Sequence, residues 1–377
     1  MKDYRIETLL ASSPSEDNAG VAPVTGAIYQ TSSFINNGKS EYSYSRCANP
    51  TRRALEDKMA LLDGGAAAFA FSSGLAAVSA CFSLLSQGDE VLMSADVYGG
   101  TYRLQEQIFK NFGINFVFAD LSVPGEVEKH MTERCKMVFF ETPTNPMLRV
   151  ADIRRVAAAA KARGAIAVVD NTFLTPYFQR PLALGADLVL YSATKFLCGH
   201  HDTSAGIIVS ASQELAERLA MISRTAGSAL APFDAFLVSR GLKTLALRME
   251  RHSSNALAVT RALKTHPAVE TVYYPGDPDN PYHALSESQS SGAGGMLSFT
   301  LRSRLSALAL LDGVKLIKFA ESLGGTESLI TYPLTQTHAS MPSELREKLG
   351  ITDRLVRLSV GIEQETDIID DLFSALR

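Results

Sequence analysis

Asp187-Leu-Val-Leu-Tyr-Ser-Ala-Thr-Lys-Phe-Leu-Cys-Gly-His-His201 is the stretch whose reading decides the fold. It opens on an apolar run, Leu188 to Tyr191, of the kind that fills a buried strand. Ser192 and Thr194 follow, then Lys195, and apolar residues resume before Gly199. An ammonium enclosed this way is costly to desolvate, so burial lowers its pKa. The resulting free amine attacks carbonyls, as a covalent link to an aldehyde cofactor requires. The two hydroxyls are placed to donate to a nearby anion such as a phosphate. The same letters also fit a lysine whose head snorkels to water, with hydroxyls that cap a turn.

Outward from this stretch, short apolar strands alternate with amphipathic helices from about residue 64 to 210. Strands are predicted at 67–71, 90–94, 115–119, 136–141, 166–170, 187–191 and 205–209. Helices are predicted near 75–86, 101–112, 124–131, 151–163 and 212–221. Such alternation builds a mostly parallel sheet covered on both faces, with ligands gathering beyond the carboxyl ends of the strands. Four of those ends are informative. Ser72-Ser73-Gly74-Leu75 opens a helix whose free amides suit an anion, although an ordinary N-cap reads the same. Tyr98, on the loop from Asp96 to Arg103, stacks on a flat heterocycle or simply packs. Strand 136–141 runs into Glu141-Thr-Pro-Thr-Asn145-Pro146, a rigid turn presenting an amide side chain. Strand 166–170 ends at Asp170-Asn171-Thr172. If it runs parallel to 187–191, Asp170 and Lys195 emerge on one edge. A carboxylate there pairs with a protonated ring nitrogen; taken alone, Asp170 is equally a capping or turn residue.

The ends of the chain read differently. Residues 1–49 form an arm rich in Ser, Asn, Gly and Pro, with Tyr42-Ser-Tyr44-Ser-Arg46 as its exception. Asn49-Pro50-Thr51 then starts a helix from Arg52 with Leu55, Met59 and Leu62 on one face. Exposed Tyr and Arg in an ordered arm suit a neighbouring subunit, or else a solvated surface. Helical period over 230–264 would link two domains; beyond it, strands at 269–274, 295–301 and 355–360 and a closing helix over 363–376 make a smaller α/β domain. A net charge of −4 gives no attraction for nucleic acid or an anionic membrane. No apolar run reaches the length of a membrane span. No secretory leader is read over Met1 to Asn18, and four separated cysteines suggest reduced thiols in a cytoplasmic protein. His200-His201-Asp202 lacks the spacing of a metal site, and none is expected.

Taken in order, these motifs resemble those of the Cys/Met-metabolism, or trans-sulfuration, family of PLP-dependent enzymes. They are Tyr44-Ser-Arg46 with Asn49-Pro-Thr51, Ser73-Gly-Leu75, Tyr98-Gly-Gly100, Glu141 to Pro146, Val169 to Thr172, the Lys195 stretch, Glu321 to Gly325 and Val356 to Gly361. The resemblance implies an α/β fold of type I, like aspartate aminotransferase, with a mostly parallel sheet in a large domain. Arm 1–49 would contact the neighbouring subunit, 50–243 would bind the cofactor, and 244–377 would form the smaller C-terminal α/β domain. A homotetramer, as a dimer of catalytic dimers, is implied as well.

By the same resemblance, Lys195 holds pyridoxal 5′-phosphate and moves protons, Asp170 faces the ring nitrogen, and Tyr98 stacks on the ring. Ser73, Gly74, Leu75, Thr172, Ser192 and Thr194 complete the cofactor contacts, with Tyr44 and Arg46 arriving from the adjacent subunit. Arg357, Asn145 and Ser322 would receive the α-carboxylate of an amino-acid substrate. Arg103 resembles the residue that γ-enzymes use for a distal carboxylate, and Glu327 belongs to their Leu323-Gly-Gly-Thr-Glu pattern. Cystathionine γ-synthase or γ-lyase chemistry, on cystathionine or an O-acylhomoserine, is therefore expected. Cystathionine β-lyase and O-acylhomoserine sulfhydrylase are the alternatives. Cys47 departs from the synthase pattern, where some members have a second arginine.

Overall fold

The computed structural model describes residues 4–12, 23–36, 38, 40–339 and 341–376. Seven strands form the larger sheet: β1 (Ala67–Phe71), β2 (Glu90–Ser94), β3 (Asn115–Ala119), β4 (Cys135–Glu141), β5 (Ile166–Asp170), β6 (Leu188–Ser192) and β7 (Gly206–Ser210). Their spatial order is β1-β7-β6-β5-β4-β2-β3. From β3 through β6 every pairing is parallel, whereas β7 runs antiparallel to both β6 and β1. The reason lies in the opening stretch. No crossover helix separates β6 from β7, so residues 193–205, with Lys195 among them, turn the chain straight back beside β6.

The strand period decides which side of the sheet each residue serves. On β6, Val189 and Tyr191 join the core that also holds Leu55, Met59 and Leu62, while Leu188 and Leu190 join the core beneath Val78 and Leu219. The first of these cores continues without a break into the second sheet, through Leu297, Phe299 and Leu358. That sheet contains β8 (Val269–Tyr273), β9 (Met296–Leu301), β10 (Lys318–Phe319), β11 (Leu329–Thr331) and β12 (Leu355–Ser359), in the order β10-β11-β12-β9-β8. The shared core fixes the two sheets against each other, and with them the residues each sends to the boundary.

Several local readings shift. The helix expected from Arg52 spans Pro50–Asp63, because the Asn49 side chain accepts from Thr51 N–H and caps it two residues earlier. Residues 230–264 divide into Pro232–Leu242 and Leu245–Thr265. Asp187 stays outside β6; its carboxylate accepts from the Ala167 amide at 2.8 Å. The arm contains a helix, Ile6–Ala11, anchored by buried Leu10. Residues 13–22 of the arm lie outside those described. Helices at His283–Gln289, Arg304–Gly313 and Ser343–Leu349, and the short strands β10 and β11, had no counterpart in the sequence reading.

Candidate active site

A cavity of about 340 Å³ opens beyond the carboxyl ends of β4, β5 and β6. One wall is the start of the helix Gly74–Phe82; the opposite wall comes from the second sheet, through Glu321, Ser322 and Arg357. Parallel pairing of β5 with β6 places Asp170 across from Leu190, so Asp170 and Lys195 share one edge as expected.

Lys195 sits three residues past β6, in a turn tied down from behind. Arg248, buried on the helix Leu245–Thr265, donates to the carbonyls of Phe196 (2.7 Å) and Gly241 (2.8 Å). Gly199, at φ 76°, has no room for a side chain there: a Cβ would fall 2.1 Å from the Arg248 guanidinium. The Lys195 ammonium donates to Ser322 Oγ at 2.8 Å. Burial, reinforced by the nearby Arg357 charge and opposed by Glu321, lowers its pKa to about 8.

Asp170 closes the cavity floor. Its Oδ1 accepts from both the amide (3.0 Å) and the hydroxyl (2.6 Å) of Thr172, whose Oγ1 in turn accepts from Ser192 N–H at 2.8 Å. Burial pushes the carboxyl up to about 6, against the pull of those two donors. A cation facing the carboxylate would draw it back down. Glu141 stands in register beside it at the end of β4 and accepts from Tyr98 N–H at 2.6 Å.

At the helix end of the cavity, Ser73 Oγ caps Ala76 N–H, which leaves the first-turn amides of Gly74 and Leu75 without intrahelical acceptors. A Cβ on Gly74 would lie 2.8 Å from Ser192 Oγ, so glycine is what lets helix and strand end approach this closely. Thr194 spends its hydroxyl on the Ala205 carbonyl, 3.2 Å away, and bridges the β6–β7 return. The Tyr98 ring folds over Gly100, where a Cβ would come within 2.3 Å of the ring.

Facing this edge is Arg357 on β12, buried, with Nη1 donating to Asn145 Oδ1 (2.9 Å) and Nη2 to the Ser322 carbonyl (3.0 Å). Its Nε is buried without a partner. Ser322 adopts φ 95°, uncommon for any residue but glycine, and in that strained turn serves Lys195 through its hydroxyl and Arg357 through its carbonyl.

The structure thus gathers Lys195, Asp170, Ser73, Gly74, Leu75, Tyr98, Thr172, Ser192, Thr194, Asn145, Ser322 and Arg357 around one cavity. Four of the predicted site residues lie elsewhere. Tyr44 and Arg46 are exposed on the arm, stacked on each other at 5.5 Å. Arg103 is exposed on the helix Gly99–Gln107, and Glu327 is exposed, 3.9 Å from His201. In the segment that carries Glu327, the glutamate that does line the cavity is Glu321. It precedes Ser322 on the same turn, and nothing in hydrophobic period could have singled it out. Glu141 and Thr337 also line the cavity without having been assigned a role from the sequence. Position at a strand end was the available signal for Glu141.

The pattern of the family described as Cys/Met metabolism PLP-dependent enzyme matches residues 7–377. A cystathionine β-lyase of Lactococcus lactis is 48% identical over 356 residues, covering 94% of each chain. A cystathionine γ-lyase of Bacillus subtilis shows the same 48% identity and the same 94% coverage of each chain. The crystal structure of cystathionine γ-lyase from Lactobacillus plantarum complexed with L-serine superposes with a TM-score of 0.96 at 42% identity, over 99% of this chain and 98% of that one. The structure of cystathionine γ-synthase from Xanthomonas oryzae in complex with cystathionine gives 0.97 at 40% identity, over 100% and 98%.

Proposed function

Since the chain belongs to the Cys/Met metabolism family of PLP-dependent enzymes, we propose that it cleaves the γ-carbon–sulfur bond of cystathionine, with Lys195 and Arg357 as its two working cations. The observation that carries the reading of an amino-acid site beside the cofactor lysine is Ser322, which joins that lysine to the arginine through a single residue. The cavity suits the cofactor's shape: free amides at the helix start for a phosphate, an acid at Asp170 for a ring nitrogen, an aromatic at Tyr98 for its face. Pyridoxal phosphate, when bound, supplies the electron sink that makes the substrate Cα proton removable.

The chain's own residues do the rest. Arg357 spends two N–H groups on Asn145 and Ser322, which fix its plane; its remaining donors, Nε included, receive the substrate α-carboxylate. Lys195 Nζ, held by Ser322 Oγ, is poised near neutral pH to take a proton from Cα and deliver it where the sulfur departs. Asp170, held by Thr172, keeps its charge directed at the cavity. Tyr44 and Arg46 act at the phosphate end of a neighbouring subunit's cavity; exposed Tyr44, and Val24 and Ile35 at 94% and 89% exposure, are apolar surface that a partner would cover. The assembly is a homotetramer of two such dimers, with arm 1–49, cofactor domain 50–243 and C-terminal domain 244–377. All four cysteines are free, which suits a cytoplasmic enzyme. Arg103 and Glu327 contact substrate only if a substrate extends beyond this cavity.

A second reading, β-elimination, is favoured by the equal 48% identity to the L. lactis β-lyase and the B. subtilis γ-lyase. Incubation with L-cystathionine separates the two. We expect 2-oxobutyrate with cysteine; pyruvate with homocysteine would replace the first reading with the second. Net synthesis of cystathionine from an O-acylhomoserine and cysteine, with no cleavage, would overturn both.

A further inference from the structure

Two acids close the same edge of the cavity. Glu141 ends β4 and Asp170 ends β5, in register, and adjacent strands lie only about 4.8 Å apart. Both carboxyls line the cavity, and Glu141 is 6% exposed. A third acid, buried Asp96 beyond β2, stands behind Glu141; it is satisfied by Thr144 Oγ1 at 2.6 Å and lies 4.0 Å from Arg149. Like charges this close in a buried site cannot all ionise.

The geometry decides which one gives way. Asp170 receives two donors from Thr172 on one oxygen and faces the cofactor side of the cavity. Glu141 has Asp170 on one flank and Asp96 on the other, with only the amides of Tyr98 and Asn145 to offset them. Accepting an N–H bond needs an oxygen but no charge, so a protonated carboxyl serves Tyr98 through its carbonyl oxygen. We infer that Glu141 is a positioning residue for the reaction, an uncharged carboxyl that fixes the turn carrying Tyr98 and leaves Asp170 as the ionised member of the pair. The inference rests on the reading above of Asp170 and Tyr98 as cofactor contacts. Burial, and after it the Asp170 charge, does raise the Glu141 carboxyl well above the carboxylate range, in the same direction.

Length and charge are separable by substitution. Glu141→Gln keeps the reach to Tyr98 N–H and carries no charge. Glu141→Asp keeps the acid but is one methylene shorter. If position matters, the Asp variant loses about 100-fold in kcat, the scale of a misplacement near 1 Å, and the Gln variant less than about 5-fold. Titration of the bound chromophore by absorbance gives a readout that a merely structural role would not move. Removing an ionised neighbour would lower the pH midpoint of a cationic chromophore, whereas removing a neutral one leaves it in place. The expected result is a Gln midpoint equal to the parent's. A lowered midpoint, or a Gln variant as impaired as the Asp one, would overturn the inference; so would an Asp variant at parental rate. Should the parent itself form no chromophore, the cofactor reading fails first, and that outcome is distinct from both.

Discussion

The two halves of the cavity are built on different principles. On the cofactor side, each group stands at or just past the end of a strand of one sheet, or at the start of a helix: Gly74 and Leu75 after β1, Asp170 ending β5 with Thr172 beyond it, Ser192 ending β6 with Lys195 beyond it. Their partners lie within the same sheet and its flanking helices, as when Thr172 holds Asp170 and receives the Ser192 amide. On the substrate side, Asn145, Ser322 and Arg357 come from three distant stretches and hold one another across the boundary between the sheets. The first half is assembled within the large sheet alone; the second exists only when the two sheets are docked. Lys195 belongs to the first and reaches the second through Ser322.

Replacement of Lys195 by Ala tests the first half and should have the largest effect. With the lysine amine that lines the cavity removed, steady-state cleavage of cystathionine should fall by about 10⁴-fold or more, and the absorbance of the covalent chromophore should vanish. A variant that keeps that chromophore would remove Lys195 from its role. Arg357→Ala tests the second half. There KM should rise by about 100-fold, the scale for truncating a buried charged donor, with the chromophore retained. Lysine at 357 should rescue little, since it cannot bond Asn145, Ser322 and a carboxylate with one planar fork. If KM stayed put while the chromophore disappeared, the division into halves would be wrong.

How far each half was legible follows from the same contrast. Alternating apolar runs located all seven strands of the large sheet to within a residue or two, because their burial on both faces leaves a continuous signal. Asp170 and Lys195 were readable from the expected parallel pairing alone. The direction of β7 was not, since a strand's letters do not record which way it runs; the missing helix between 192 and 206 was the clue. Glu321, which lines the cavity, was given no role from the sequence, although it lies in the same short segment as Glu327. Which carboxylate of that segment lines the cavity is settled by the loop conformation between β10 and β11, which no periodicity encodes. Arg248, which clamps the Lys195 turn, was hidden because it sits in the first turn of a helix, where an arginine ordinarily faces water.

The halves also communicate through charge, and this gives the finest test. Lys195 is lowered to about 8 by burial first and by Arg357 second, with Glu321 pulling the other way. Because the working form of Lys195 is the free amine, activity that depends on it rises with pH through that value. Removing the Arg357 cation relieves the ammonium of a like charge, so the limb should move to higher pH in Arg357→Ala. Removing the Glu321 anion takes away a stabilising partner, so Glu321→Gln should move it to lower pH. The second shift should be the smaller, in keeping with the order in which the two charges act on Lys195. Measured as the acid limb of kcat, which reports the substrate-bound enzyme in which the Lys195 amine is free, shifts of opposite sign would show that the docked second sheet tunes an amine owned by the first. Shifts of the same sign would mean that the two variants act by loosening the domain boundary, and the electrostatic link through Ser322 would have to be given up.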